Sequence, residues 1–286
     1  MARRLTGFTL IELVITITIS GIVIAFAAMF FSGPVRGFTD QVRRAELVDS
    51  AESALRRMGR DIRRALPNSI RVTTVGTVTA LEILNSVEGI RYRAGPPPGN
   101  VNAWLNFATA DSAFNSIGQF DSIAKPFSST SHYLSIYNVG VAGADAYALT
   151  DVITPAGTQI DINNAAEAGE DNVVMTPAFR FSYPSPRQRV YLIDSPVSFL
   201  CDTSTGELTR YSGYTIAANH SDRDTATELL AAGASDSIMS TNLSACTFTY
   251  TPGTAQRAAL ISLSLSLAED GEQINLLQQV HVDNVP

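Results

Sequence analysis

The sequence predicts an α+β protein, with one long N-terminal helix and antiparallel β-structure over the rest of the chain. Three patterns predict it. Residues 8–35 form an apolar run in which Glu12 is the single acid. Val48, Ala51, Leu55, Met58, Ile62 and Ala65 then recur at spacings of three and four, the stripe of an amphipathic helix. Near the C-terminus Ile261, Leu263, Leu265 and Leu267 alternate with Ser262, Ser264 and Ser266, the period of a strand with one buried face.

The apolar run comes first. As a helix it spans roughly 40 Å, enough to cross the ~30 Å hydrocarbon layer. A secretory signal carries a shorter apolar region of about 7–15 residues, so this run is expected to anchor the chain in a membrane. Arg3 and Arg4 lie before it and Arg36, Arg43 and Arg44 beyond it, so positive charge leaves the orientation open. Glu12 costs about 2.5–3.5 kcal/mol at membrane depth, which calls for a partner; a protonated or snorkelling side chain at the interface is the plainer reading. Gly21 and Gly33-Pro34 are expected weak points in the helix. Beyond them Asp40/Arg44 and Glu52/Arg56 stand four apart with the acid first, the favourable order. Pro67 is expected to end the helix at Leu66.

The charge is uneven. Between Arg36 and Arg71 nine arginines face five carboxylates, whereas from Val72 onward nine basic residues face twenty-one acidic ones. Arg56, Arg57, Arg60, Arg63 and Arg64 read as a solvated helix face or as a contact for an acidic neighbour. The formal net charge of −7 and pI of about 5.0 argue against a nucleic-acid partner.

The head reads as strands at 70–83, 89–93, 132–137, 179–183, 189–193, 197–201, 207–211 and 273–282. Gly95-Pro96-Pro97-Pro98-Gly99 is a loop, 202–206 a turn, and Asp270-Gly271 the centre of a hairpin. Residues 95–175 are low in charge and weakly periodic, with 161–172 expected to be an exposed acidic loop. That loop lacks calcium-loop spacing, so no metal site is expected. Trp104, Phe107, Phe114 and Phe120 are either core or an exposed aromatic patch that binds a ligand. Cys201 and Cys246 are a candidate disulfide if the head is exported, closing a loop worth roughly 4 kcal/mol; otherwise they are buried thiols. His132, His220 and His281 stand alone, and no hydrolase, zinc-protease or nucleotide motif occurs, so neither catalysis nor a cofactor is expected.

Gly7-Phe8-Thr9-Leu10-Ile11-Glu12-Leu13 resembles the cleavage and methylation motif of type IV prepilins and type II secretion pseudopilins. The resemblance implies a pilin-like fold. It implies that a prepilin peptidase/methyltransferase cuts between Gly7 and Phe8 and N-methylates Phe8. Glu12 would then pair with the N-terminal amine of a neighbouring subunit, and the head would lie outside the cytoplasm. The chain thus divides into a leader (1–7), a transmembrane and assembly half of the helix (8–35), an amphipathic half (36–66) and a β-rich head (67–286) with an insertion at about 95–175.

Residues 41–51, 60–68 and 279–286 further resemble J-like minor pseudopilins, and among pilus systems the MshO-type minor pilins of the MSHA pilus. This implies a structural subunit that helps start or assemble a type IV pilus at or near its tip. The alternatives are a minor pseudopilin of type II secretion and a tip adhesin. The implied partners are other major and minor pilins, an inner-membrane assembly platform, and lipid around the helix. The implied location is the bacterial inner membrane with a periplasmic head, then the pilus at the cell surface.

Overall fold

The computed structural model describes residues 7–100, 103–254 and 257–285, with the backbone alone for 31–36. Leader residues 1–6, with Arg3 and Arg4, lie outside the described residues.

The first element is α1, Leu10–Arg63, a helix of 54 residues and about 80 Å. It runs on through Gly21, Gly33 and Pro34, the expected weak points. It ends three residues before the expected stop at Leu66. The Arg64 N–H closes back on the carbonyls of Asp61 and Ile62, and Leu66 N–H then donates to Leu84 O at 2.8 Å. Sheet pairing therefore takes the chain before Pro67 can stop the helix.

The strands follow as β1 (Arg71–Val75), β2 (Val78–Tyr92), β3 (Asp111–Ile117), β4 (Phe127–Ser129), β5 (Tyr133–Ser135), β6 (Gln159–Asn164), β7 (Asp171–Phe179), β8 (Arg189–Asp202) and β9 (Glu207–Ser212). A short helix α2 (Ala226–Ala231) precedes β10 (Ser235–Ser240), β11 (Leu243–Thr251), β12 (Ala259–Glu269) and β13 (Glu272–Val282). One sheet has the order β10-β9-β8-β2-β3-β7-β6-β4, with β1 also on β2 and β5 also on β8. The second is the antiparallel meander β11-β12-β13. Its last turn has Asp270 and Gly271 at φ 46° and 88° between paired Glu269 and Glu272, the two-residue left-handed turn that suits a twisted hairpin.

The core forms where α1 meets both sheets. Leu47, Ala51, Leu55, Met58 and Ile62 pack with Leu81, Ile83 and Phe199 of the large sheet and Ile261, Leu263 and Leu265 of the small one. The outer face of β12 carries the serines, so alternation decides which side is buried. Cys201 of β8 and Cys246 of β11 are bonded, with Cα atoms 6.5 Å apart, and tie the two sheets together. Arg56, Arg57, Arg60, Arg63 and Arg64 are exposed opposite the core. Glu52 pairs with Arg56, but Asp40 pairs with Arg43 at 3.4 Å and not with Arg44. Arg43 faces the head, where Asp270 also meets it at 3.3 Å; Arg44 is exposed.

The stretch 95–175 is more ordered than its composition suggests. It supplies β3 to β6 and the start of β7, and its Leu105, Phe114, Phe120, Ile160 and Val173 form a second core with Tyr92 of β2. Strands β2 and β8 are long enough to serve both cores: Leu81 and Phe199 face α1, while Ile90 and Leu192 face the second cluster. Several expectations are corrected here. The strand at 132–137 shrinks to β5. Residues 161–172 form most of β6, a turn and the start of β7, because Ile160, Ile162 and Val173 point inward. The strand expected at 179–183 ends at Phe179, and those at 189–193 and 197–201 are one strand, β8.

A buried polar cluster joins the large sheet to the loop after β9. Glu82, fully buried on β2, accepts from Arg71 Nε at 2.6 Å and from the Tyr214 hydroxyl at 2.8 Å. Arg71 also donates to the carbonyls of Ala217 and Ala218 and lies 3.4 Å from the Tyr147 ring centre. His220 packs beside them, its Nε2 3.9 Å from Glu82. Burial, and next the Arg71 charge, hold its imidazole down at about 4. Between pH 6.5 and 4 the unfolded chain therefore binds a proton that the folded chain refuses, so stability falls as pH falls, by up to about 3 kcal/mol from this group. His220→Asn is expected to remove that part of the loss when urea midpoints are compared at pH 7 and pH 4.5. Carboxylates away from His220 contribute equally to both proteins, so an unchanged loss in the variant would refute the assignment.

Candidate processing and assembly site

The N-terminal signature sits where the helix begins. Thr9 is the N-cap, with extended backbone at φ −81° and ψ 151°. Its hydroxyl accepts from Glu12 N–H at 3.3 Å and donates to Glu12 Oε2 at 2.8 Å, while Thr9 N–H donates to the same oxygen at 3.0 Å. This reciprocal cap satisfies otherwise orphaned donors and fixes the helix start at Leu10. The carboxylate also lies in the first turn, where the helix dipole favours negative charge.

The cap leaves Gly7 and Phe8 outside the helix. Phe8 is 75% exposed. A Cβ built on Gly7 meets nothing within 4 Å, and Gly7 is not among the glycines with positive φ. Among the described residues nothing therefore requires glycine at this position. Such a requirement would come from whatever grips the peptide from outside.

Glu12 binds Thr9 through one carboxylate oxygen. Among the described residues its other oxygen, Oε1, meets no donor and Glu12 has no cationic partner. The side chain can therefore cap its own helix and still accept a cation from another molecule.

The surrounding surface is apolar. Residues Leu10–Phe30 are long and apolar enough to cross a membrane and are unburied by the head. Leu10, Ile11, Ile17, Ile24 and Phe26 all face outward. Thr16 and Thr18 turn their hydroxyls back onto carbonyls three and four residues earlier, which removes their hydrogen-bonding demand from the surroundings. An apolar surface this large needs lipid or other helices to cover it.

The remaining candidates lie apart from this site. Phe114 and Phe120 are fully buried, Phe107 packs on Tyr92 with ring centres 5.5 Å apart, and Trp104 is half-buried, so the four do not form an exposed aromatic patch. His132 shares a hydrogen bond with Ser129 at 2.7 Å, His220 is in the Glu82 cluster, and His281 is exposed on β13. Sequence reasoning missed the role of Thr9, although Thr9 and Glu12 stand at the T-x-x-E spacing that signals such a cap.

Residues 3–28 match the family model described as the prokaryotic N-terminal methylation motif. The match spans the peptide around Gly7, the cap and most of the apolar helix, and stops before the head. No curated protein and no solved structure matches the chain. The motif supports a type IV pilin- or pseudopilin-like subunit, processed by a prepilin peptidase and assembling with other pilins.

Proposed function

We propose that the chain is a minor pilin-like structural subunit that helps initiate or assemble a type IV, MSHA-like pilus at or near its tip. The observation that carries this reading is the N-terminal arrangement, an exposed Gly7-Phe8 peptide one turn ahead of a half-committed Glu12 carboxylate. A cut between Gly7 and Phe8 creates a cationic amine on Phe8, which the prepilin peptidase then methylates. In the apolar layer formed by residues 10–30, that cation and Glu12 are each costly alone and tolerable together. A neighbour's amine on Glu12 therefore rewards docking at one position along the helix.

The rest of the molecule fits this reading. The helix anchors the newly made subunit in the inner membrane, where the assembly platform would take it up, and the disulfide suits a head in an oxidising compartment. The large stretch 95–175, which builds a second core against β2 and β8, favours a pilus subunit over a type II secretion pseudopilin. Burial of Phe114 and Phe120 weakens the adhesin alternative.

Glu12→Val tests the pairing. The variant is expected to reach the membrane at the wild-type level, because the substitution makes the helix more apolar. Its share in sheared surface filaments is expected to fall by on the order of tenfold or more, as loss of one partner strands the other charge. Equal incorporation of variant and wild type would refute the role given to Glu12.

A further inference from the structure

One edge of β8 is left open in the middle of the head. β5 pairs with that edge up to Ile193, and β9 takes it over at Val197. Asp194, Ser195 and Pro196 lie between the two pairings. On the opposite edge β2 shifts register across the same residues. A bulged strand of this kind re-aims its side chains and is common beside binding sites. The gap opens into a cavity of about 460 Å³, bordered by the turn after β9 and the loop before β6.

Of the residues that line the cavity, Asp194 alone is charged at pH 7. Its half-buried carboxylate is held by neutral donors. Asn85 Nδ2 reaches the two oxygens at 2.9 and 3.0 Å, and Ser195 N–H donates to Oδ1. Among the described residues no cation pairs with it. His132 lines the same cavity, but burial lowers its imidazole from the usual value while Asp194 works the other way. The ring is therefore neutral at pH 7 and leaves the carboxylate uncompensated. Tyr133 is 6% exposed, and its hydroxyl has no hydrogen-bond partner among the described residues. A carboxylate without a cation and a buried hydroxyl without a partner are both costly, and here both border one space.

An ammonium group answers both demands. It brings three donors and a full positive charge, so one N–H can go to Asp194 and another to the Tyr133 oxygen. The tyrosine rings of Tyr133 and Tyr214 in the wall favour a cation further. A neutral sugar would leave the charge of Asp194 unmatched, and an anion would be repelled by it. From Val72 onward nine basic residues face twenty-one acidic ones, a field that draws cations to the head.

We propose that this cavity binds a primary ammonium group on an alkyl stem, with Asp194 as its counter-ion and Tyr133 as a second acceptor. A free alkyl amine and the lysine side chain of a partner protein share this chemistry. The site lies in the head and needs neither the cut at Gly7 nor filament assembly.

Ligand-observed NMR on the full chain in detergent tests it, with n-butylammonium as the probe and n-butanol as its neutral counterpart. Saturable binding of the amine is expected, about tenfold tighter than the alcohol, the worth of one charge-assisted contact. Asp194→Asn keeps the shape of the side chain and is expected to remove that preference. Ala156→Trp fills the mouth from an exposed position and is expected to abolish binding while leaving Asp194 in place. Circular dichroism checks that both variants fold; if Asp194→Asn does not, Ala156→Trp decides. Nα-acetyl-lysine amide separates the two sources: tighter binding than n-butylammonium assigns a partner's lysine, and weaker binding a free amine.

Several results would overturn the proposal. They are equal binding of amine and alcohol, tighter binding of glucose than of the amine, and no saturable binding at all. An amine preference that survives Asp194→Asn, or binding that survives Ala156→Trp, would do the same.

Discussion

A Gly7→Val chain is expected to accumulate wholly as uncut precursor, with residues 1–7 still attached. The argument rests on what the substitution leaves alone. The new side chain enters open space, the backbone there is not left-handed, and the Thr9–Glu12 cap begins two residues later. Folding, membrane anchoring and the head should all be unaffected. The only thing lost is the bare backbone that an enzyme must grip beside the scissile bond. Intact mass of the membrane-extracted chain reads the result directly. A normal cut between residue 7 and Phe8 in the variant would remove Gly7 from the site. Loss of the protein altogether would mean that Gly7 supports folding in a way its open surroundings do not show.

Lys125→Met is expected to cost the head about 3–5 kcal/mol, the scale of breaking a buried ion pair from one side. Asp171 is fully buried at the start of β7 and takes both oxygens to Lys125 Nζ at 2.8 Å, with Phe120 N–H on Oδ2 at 2.7 Å. Methionine keeps the stem of the side chain and removes the cation, so Asp171 is left charged in an apolar core or must take up a proton. Adding Asp171→Asn should return more than half of the loss, since the amide can still accept from Phe120. Urea unfolding of the full chain in detergent measures both variants. A loss under about 1 kcal/mol would place the pair among weak surface contacts.

The same pair shows why much of the head was illegible from the sequence. Asp171 lies in a stretch rich in Asn, Ala and Glu that reads as a solvated loop, and its partner is 46 residues earlier. Burial there depends on β3, β6 and β7 pairing across long separations, which no local pattern announces. Strand β8 hid for a different reason. Asp194-Ser195-Pro196 looks like a break, yet Pro196 lies opposite Leu84 beside a shift in register, where a missing N–H is tolerated.

The α1 stripe and the β12–β13 hairpin were readable because their burial patterns are contiguous, with periods set by the backbone itself. The N-terminal signature was readable for the same reason, as Gly7, Phe8 and Glu12 fall within six residues. What the structure adds to it is Thr9, which holds Glu12 by one oxygen and leaves the other open.

The most direct measurement is the mass and sequence of the mature wild-type N-terminus. A chain that begins at Phe8 and carries one methyl group on its amine is the expected result. A chain that still begins at Met1, or one cut beyond the apolar segment, would contradict the account.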